Sequence, residues 1–346
     1  MAAKRKMSDS KQARAEPVPL RWQRADTGAV PLVSISCVTY QHGNFIRDAL
    51  EGFLMQETTF PVEILVHDDA SSDGTADVIR EYEQRFRGLF HVIYQKENQY
   101  SKGVNVSNLN FQRARGQYIA ICDGDDYWTD PLKLEKQVSL LDSHPDIAAC
   151  FAGFLREEVV TGASALEIFD IDDESVEGIA GFCFTLEDMC KGWLTKTLTA
   201  MVRADLLIEI DIASYRHYRD IHMFYHAIRG RKAFYFREAH GVFRVHPGGV
   251  NSMKQGKVNA NAAYNCYREL FLNNRDQFTR RMCFLATASL LNYNLFNAYQ
   301  GNNFLLNLRL LGEAIRLCSS ISELRVVFNS FIKREVKDYI KKMSPY

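Results

Sequence analysis

"IAICDGDDYW", residues 119–128, runs from a strand-like apolar stretch into three carboxylates, Asp123, Asp125 and Asp126, and then into two aromatics. A segment that belongs in a core thus ends in an acidic cluster. Two unit charges about 5 Å apart repel by roughly 3 kcal/mol at an effective dielectric near 20. The cluster needs either water at an exposed loop or a cation bound within it.

Outward from this point, strands alternate with helices. PLVSISCVTY (31–40) reads as a strand, and NFIRDALEGFLMQ (44–56) carries apolar residues at helical spacing. VEILVHDD (62–69) is a second strand ending in acids, and the helix after it takes Ser72 or Asp73 as its N-cap. HVIYQ (91–95) is a third strand, and VNVSNLNFQRARG (104–116) a helix stopped by Gly116. YIAICD (118–123) is the fourth strand, and the helix in 129–145 opens with a capping Asp130 and with Pro131 at its first position. This alternation predicts an α/β fold with a mostly parallel sheet flanked by helices. Ligands of such sheets gather at the carboxyl ends of the strands. Three of the four strands end in polar or acidic residues there: Thr39-Tyr40, Asp68-Asp69 and Asp123 to Asp126.

Residues 150–255 are harder to read. The acidic stretch 168–178 is expected to be a solvated loop, 185–207 a helix followed by a strand through Leu198 to Val202, and 219–252 a helix stopped by Gly230, a strand and a closing loop. From 256 the pattern is helical, with breaks near 273 and 302. A last stripe of Leu324, Phe328, Phe331, Tyr339 and Met343 lies opposite lysines; it would serve a homo-oligomer or peripheral contact with a membrane.

Composition narrows the function classes. The 346 residues are 47% hydrophobic and 24% charged, with zero formal net charge. That is globular, and the charge gives no reason to expect a nucleic-acid partner. The 8 cysteines form no C-x-x-C pair and read as buried reduced thiols. No run is apolar enough for a membrane span, and residues 1–30 read as a basic, mostly disordered tail without a signal-peptide core. A cytoplasmic chain is expected, with the inner face of a membrane as its one peripheral contact. The common motifs are missing: there is no G-x-G-x-x-G after the first strand and no P-loop. "DASSDGT" starts like a calcium loop but has Arg80 where the bidentate Glu is required. His222 and His226 sit at i and i+4 without the Glu of H-E-x-x-H and read as structural.

The strand-end acids remain. A D-x-D at a strand end offers carboxylates with an open side, which suits Mg²⁺ or Mn²⁺ bound jointly with a diphosphate. With VSISCVTYQHGNFIRDALEGFLMQ, VEILVHDDASSDGT and CDGDDYWTDPLKLEKQ in this order, the chain resembles the family-2 glycosyltransferases of the GT-A fold over 31–150, and more loosely at RDIHMF and FRVHPGGVNS. The resemblance implies a GT-A domain over 31–255, with a nucleotide-binding half (31–150) and an acceptor half (151–255), and a helical region over 256–346. It implies an inverting transfer from a nucleotide-sugar donor to a saccharide or lipid-linked saccharide acceptor, in the synthesis of a bacterial surface polysaccharide. Carried onto matching positions, Thr39 and Tyr40 would flank the nucleobase, and Asp69 would accept from the base ring N–H or cap the following helix. Asp123 and Gly124 would lie near the ribose, and Asp125 or Asp126 would hold the metal. Lys102 and Arg244 would meet phosphate, and His246 the metal or the diphosphate. Asp220, in YRDIHMF, matches the general base, with Arg219 in place of the customary Glu or Gly; its other reading is a helix cap. Trp128 and Trp193 are candidates for stacking on a sugar, or for packing. The rival readings are an inactive binding or scaffold module and a sugar nucleotidyltransferase, whose Gly-rich, Arg-containing loop TYQHGN does not supply.

Overall fold

A computed structural model describes residues 18–22, 29–169, 178–190, 194–249, 256–296, 304–320, 323 and 325. In chain order the elements are β1 (Val18–Pro19), β2 (Val33–Thr39), α1 (Ile46–Leu54), β3 (Glu57–Thr58), β4 (Val62–Asp68), α2 (Thr75–Arg85), β5 (Phe90–Tyr94), α3 (Val106–Phe111), β6 (Tyr118–Ile121), β7 (Tyr127–Trp128) and α4 (Lys133–Ser143). Then come β8 (Ile147–Glu158), β9 (Ser164–Glu167), β10 (Gly181–Phe184), β11 (Met201–Arg203), α5 (Ala204–Ile208), α6 (Asp220–Ile228), β12 (Lys232–Val245), α7 (Gly256–Asn274), α8 (Gln277–Phe296) and α9 (Phe304–Leu317).

The main sheet runs β10-β12-β8-β11-β6-β2-β4-β5. β2 lies between β4 and β6, parallel to both, and is buried along nearly its whole length. Ile35, Ile64 and Val66 are fully buried, each stabilising the fold by roughly 1.5–3 kcal/mol over an exposed side chain. The sheet is more mixed than the alternation of strands and helices predicts. β11 is antiparallel to both β6 and β8, and β10 is antiparallel to β12. Because β11 reverses between them, β6 and β8 point the same way, and β12 is parallel to β8. The carboxyl ends of β2, β4, β6, β8 and β12 therefore share one rim.

The chain departs from the sequence reading wherever long-range packing overrides local signals. β8 and β10 are missed because strands buried on both faces carry no alternation. The helix expected in 185–207 is two short 3₁₀ turns at Asp188–Cys190 and Thr197–Thr199 before β11. α3 ends at Phe111; Gly116 serves instead to let the chain pass β2, where a Cβ would stand 2.6 Å from the Ser34 nitrogen. Gly74 rather than Ser72 or Asp73 is the N-cap of α2, although the Asp73 carboxylate accepts from the Thr75 N–H at 3.1 Å. Within the expected tail, Val18–Pro19 pairs with β3 and Leu20 is buried. Residues 1–17 and 23–28, the stripe from Leu324 to Met343, and Trp193 lie outside the described residues.

α7, α8 and α9 pack with α6, β8 and β10 in one apolar cluster that includes Phe151, Phe224, Leu270 and Phe284. A second cluster joins α1, α4, β2 and β4 around Phe53 and Trp128. Among the described residues no cysteine is paired, and no helix is long and apolar enough to cross a membrane.

Candidate active site

Three loops and one helix end meet at the rim. After β2, Gln41 takes a left-handed turn (φ 57°), its N–H bonding the Ser71 hydroxyl at 2.9 Å. The His42 N–H donates to Thr75 Oγ1 at 2.9 Å and the Gly43 N–H to Asp73 Oδ2 at 2.8 Å. The loop after β2 is thus tied to the loop before α2. After β6, the Gly124 N–H donates to the Val38 carbonyl at 2.9 Å. A Cβ at Gly124 would stand 2.7 Å from Thr39 Oγ1 and 2.9 Å from Ile46 Cδ1, so the acidic loop lies directly on the end of β2. Gly124→Ala is expected to cost about 1–3 kcal/mol of unfolding free energy, as overpacking does. Urea unfolding checks this, and a change below about 0.5 kcal/mol, the size of a neutral surface substitution, would refute the contact.

β7 carries the acidic loop into β12, pairing Tyr127 with Val242 and Trp128 with Gly241. The Arg244 N–H donates to Asp126 Oδ1 at 2.8 Å, and its guanidinium to the Asp125 carbonyl at 3.2 Å. The same guanidinium lies 4.2 Å from the centre of the Tyr127 ring and pairs with Asp48. Arg244 is therefore a brace for the acidic loop. Two residues on, His246 Nε2 lies 3.2 Å from Asp125 Oδ2. His42 Nε2 approaches the same oxygen at 3.7 Å. His42 was not picked out in the sequence, although it follows the first strand's polar end and so obeys the same rim logic as the acids.

Repulsion within the acidic loop is relieved by shifted ionisation. Burial, then the charges of Asp125 and Asp220, raise the Asp123 pKa to about 7. Burial and Asp125 push Asp126 up as well. Asp125 alone moves the other way: burial opposes its charge, but the hydrogen bond to His246 and the field of His42 hold it below the usual carboxylate range. Negative charge in the trio is therefore favoured most at Asp125.

Asp220 is the first residue of α6, and its Oδ1 accepts the Ile221 N–H at 2.9 Å. Solvent reaches the side chain, yet protein crowds it in a cleft. That crowding raises its pKa; the Ile221 N–H, Lys196 and Arg219 pull it back without cancelling the rise. Tyr218, Tyr267 and Cys266 also face it, so α7 contributes to its surroundings. Lys196 sits between the acids: Asp126 and Asp220 are the strongest negative fields on it. Its ammonium rests on the Phe243 ring at 4.0 Å and the Phe154 ring at 5.4 Å. No sequence signal marked Lys196, because its acids lie 70 and 24 positions away along the chain.

The other expected residues fall as follows. Thr39 is buried and its Oγ1 has no partner; Tyr40 beside it is exposed. Asp69 is buried, its two oxygens accepting the Gln99 and Tyr100 N–H groups at 2.8 and 3.0 Å. It does not cap α2, and a carboxylate's roughly four lone-pair sites leave room for a further donor. Lys102 is exposed and pairs with Glu97. Trp128 is core, packed on Phe53 with its indole N–H on the Leu198 carbonyl at 2.7 Å. His222 and His226 are structural: His222 Nδ1 accepts the Arg219 N–H, and His226 meets the Tyr215 hydroxyl at 2.8 Å.

Among the described residues two clusters could hold a cation: His42, Asp125 and His246, and Asp130, Glu238 and His240. In the second, the Lys136 ammonium already lies 2.9 Å from Asp130 and 2.8 Å from Glu238. The first holds no such cation, and its donor set of neutral imidazole and carboxylate fits a divalent metal. A cavity of about 750 Å³, lined by Asp146, Glu187, Arg229, Arg231 and Phe278 among others, lies at the amino ends of β8 and β12, on the opposite edge from the acids. The acids gather at the carboxyl rim instead.

Residues 34–168 match the family described as Glycosyl transferase family 2. A stretch of 120 residues is 48% identical to the uncharacterized protein Rv1520 of Mycobacterium tuberculosis, covering 34% of this chain and 34% of that relative. The chain thus spans about a third of the length of the curated relatives it matches most strongly. Over 225 residues it is 28% identical to the putative teichuronic acid biosynthesis glycosyltransferase TuaG of Bacillus subtilis, covering 65% of this chain and 83% of the relative. Residues 1–349 of S. aureus TarS, solved in complex with UDP-GlcNAc, share the fold with a TM-score of 0.58 at 17% identity, over 82% of this chain and 81% of that one.

Proposed function

Because residues 34–168 carry a glycosyl transferase family 2 domain, we propose that the chain is an inverting glycosyltransferase that moves a sugar from a nucleotide-diphosphate donor to a hydroxyl acceptor. What carries this reading is that the loop of Asp123 and Asp125, Asp220 and His246, from three distant stretches of the chain, come together at the carboxyl rim. In this reading Thr39, Tyr40 and Asp69 meet the base, and Asp123 and Gly124 the ribose, all of them at the ends of β2, β4 and β6. Asp125 and His246 are the side chains placed to hold a divalent cation, with Asp126 fixed beside them by Arg244. Bound there, a cation would offset negative charge on a diphosphate leaving group.

The chain's own residues supply the remaining chemistry. Asp220 takes the proton of the acceptor hydroxyl as its oxygen attacks the anomeric carbon, while the bond from that carbon to the diphosphate oxygen breaks on the opposite face. Lys196 places a positive charge near Asp126 and Asp220, which favours the ionised form of the base and partly offsets the rise that burial gives its pKa. A saccharide or lipid-linked saccharide is the acceptor class. A role in surface polysaccharide synthesis is supported by the name of TuaG, a putative teichuronic acid biosynthesis enzyme.

Thermal-shift screening against nucleoside diphosphates, with and without Mn²⁺, tests the donor side. A diphosphate at 100 times its dissociation constant should add about 2.7 kcal/mol of stability. The expected result is stabilisation by one base in preference to the others, dependent on the metal. No uptake of any nucleoside diphosphate would reject the reading.

A further inference from the structure

We propose that the cation of this site is held by three side chains of the chain itself, His42, Asp125 and His246, and that this two-imidazole, one-carboxylate set selects first-row transition ions, Mn²⁺ included, over Mg²⁺. The inference rests on the transferase reading only for the presence of a cation at the rim. His42 is the new member of the set, and Asp126 is left out of it.

The three donor atoms come from the loops after β2, β6 and β12, and all lie within 4.8 Å of one another. His42 is poised without being bonded. Its Nδ1 is buried with no partner, and its Nε2 stops 3.7 Å from Asp125 Oδ2, beyond hydrogen-bonding distance. Nε2 is the ring nitrogen turned towards the carboxylate, and the gap between it and Oδ2 is one that a cation bonded to both atoms would bridge. The ring cannot easily turn away. Its backbone N–H is fixed by Thr75, and its plane meets His246 edge-on, with centroids 6.1 Å apart and an angle of 86°. Phe45 packs against the His246 ring at 4.5 Å, tilted by 47°, and so supports the second imidazole.

Asp126, the acid beside Asp125, is directed elsewhere. Its Oδ1 accepts the Arg244 N–H, and it falls outside the group of three. The third protein ligand therefore comes from the loop after the first strand rather than from the neighbouring aspartate. Two imidazoles and one carboxylate bring one negative charge, leaving a divalent ion with a net positive charge for an incoming diphosphate. Imidazole nitrogen favours transition ions, whereas Mg²⁺ prefers oxygen and water.

Mn²⁺ alone, added to the full chain without nucleotide, is the probe. Pulsed electron paramagnetic resonance should detect two coordinated imidazole nitrogens in the wild type and one in His42→Ala. Titration calorimetry should show Mn²⁺ affinity falling by about tenfold or more in His42→Ala and in His42→Gln, which keeps the side chain's bulk. Asp126→Asn should keep both nitrogens. The wild type should bind Mn²⁺ more tightly than Mg²⁺, and His42→Ala should narrow that preference. Two nitrogens persisting in folded His42→Ala, or no Mn²⁺ uptake by the wild type at millimolar concentration, would overturn the ligand set. Two nitrogens in the wild type with no uptake of any nucleoside diphosphate would leave the ligand set standing and reject the transferase reading.

Discussion

Asp125→Ala is expected to lower sugar transfer by at least about 10²-fold, the upper end of what loss of an outer partner of a metal ligand costs, while the chain stays folded. The activity loss follows from geometry: Asp125 is the one acid that both His42 and His246 approach. The Asp125 carboxyl is held below its ordinary pKa, so its bonds stabilise the fold at pH above the ordinary carboxylate range and lose that effect as pH falls through the depressed value. Removing it costs that contribution at neutral pH. The same substitution relieves Asp123 and Asp126, whose pKa values Asp125 helps to raise. The two effects oppose each other, and the net change should stay within about 1 kcal/mol, the scale of one net hydrogen bond. Thermal melts at pH 5 to 8 beside transfer assays check both halves. Unfolding of the variant at neutral pH would give Asp125 a structural role instead.

Asp220→Asn should reduce the rate by about 10²–10⁴-fold, the range of general-base assistance, with donor binding unchanged. Burial keeps the Asp220 pKa above the ordinary carboxylate value. The acid limb of the pH–rate profile should therefore sit above that range, because the base works only when ionised. Lys196→Met removes a cation that lowers the Asp220 pKa, so the acid limb should move to still higher pH. A residue that only packs on Phe243 and Phe154 would lower the rate without moving the limb. The folded-state pKa of this carboxyl is raised, so its ionisation costs stability as pH climbs from the ordinary value through the raised one. Asparagine cannot ionise, and the variant should melt no lower than the wild type at neutral pH. An unchanged rate in Asp220→Asn would leave the residue with a structural role in the first turn of α6, whose N-cap is Arg219 rather than Asp220.

How far the site could be read from sequence depended on how local each signal was. Asp123, Asp125 and Asp126 were visible because a strand that ends in acids breaks its own pattern, and YRDIHMF placed Asp220 at a helix start, where α6 begins. Arg244 was expected on a phosphate; its pairing with Asp48 and its hold on the acidic loop join residues 196 and 118 positions apart, which no local pattern encodes. His42 and Lys196 escaped for the same reason: each is defined by the acids it faces. β8 and β10 escaped because burial on both faces erases periodicity.

By itself, the amino-acid order determined the alternating strands and helices of the first half, the rim on which the acids lie and the identity of the acids. Short-range spacing and turn chemistry are enough for those. Only the tertiary structure decided the reversal of β11, which sets β6, β8 and β12 pointing the same way and so brings His246 to Asp125. Only it decided that two histidines rather than the next aspartate face that carboxylate. The physical reason is that strand pairing and ion placement are settled by contacts between distant segments, whose free energy exists only once the sheet has closed.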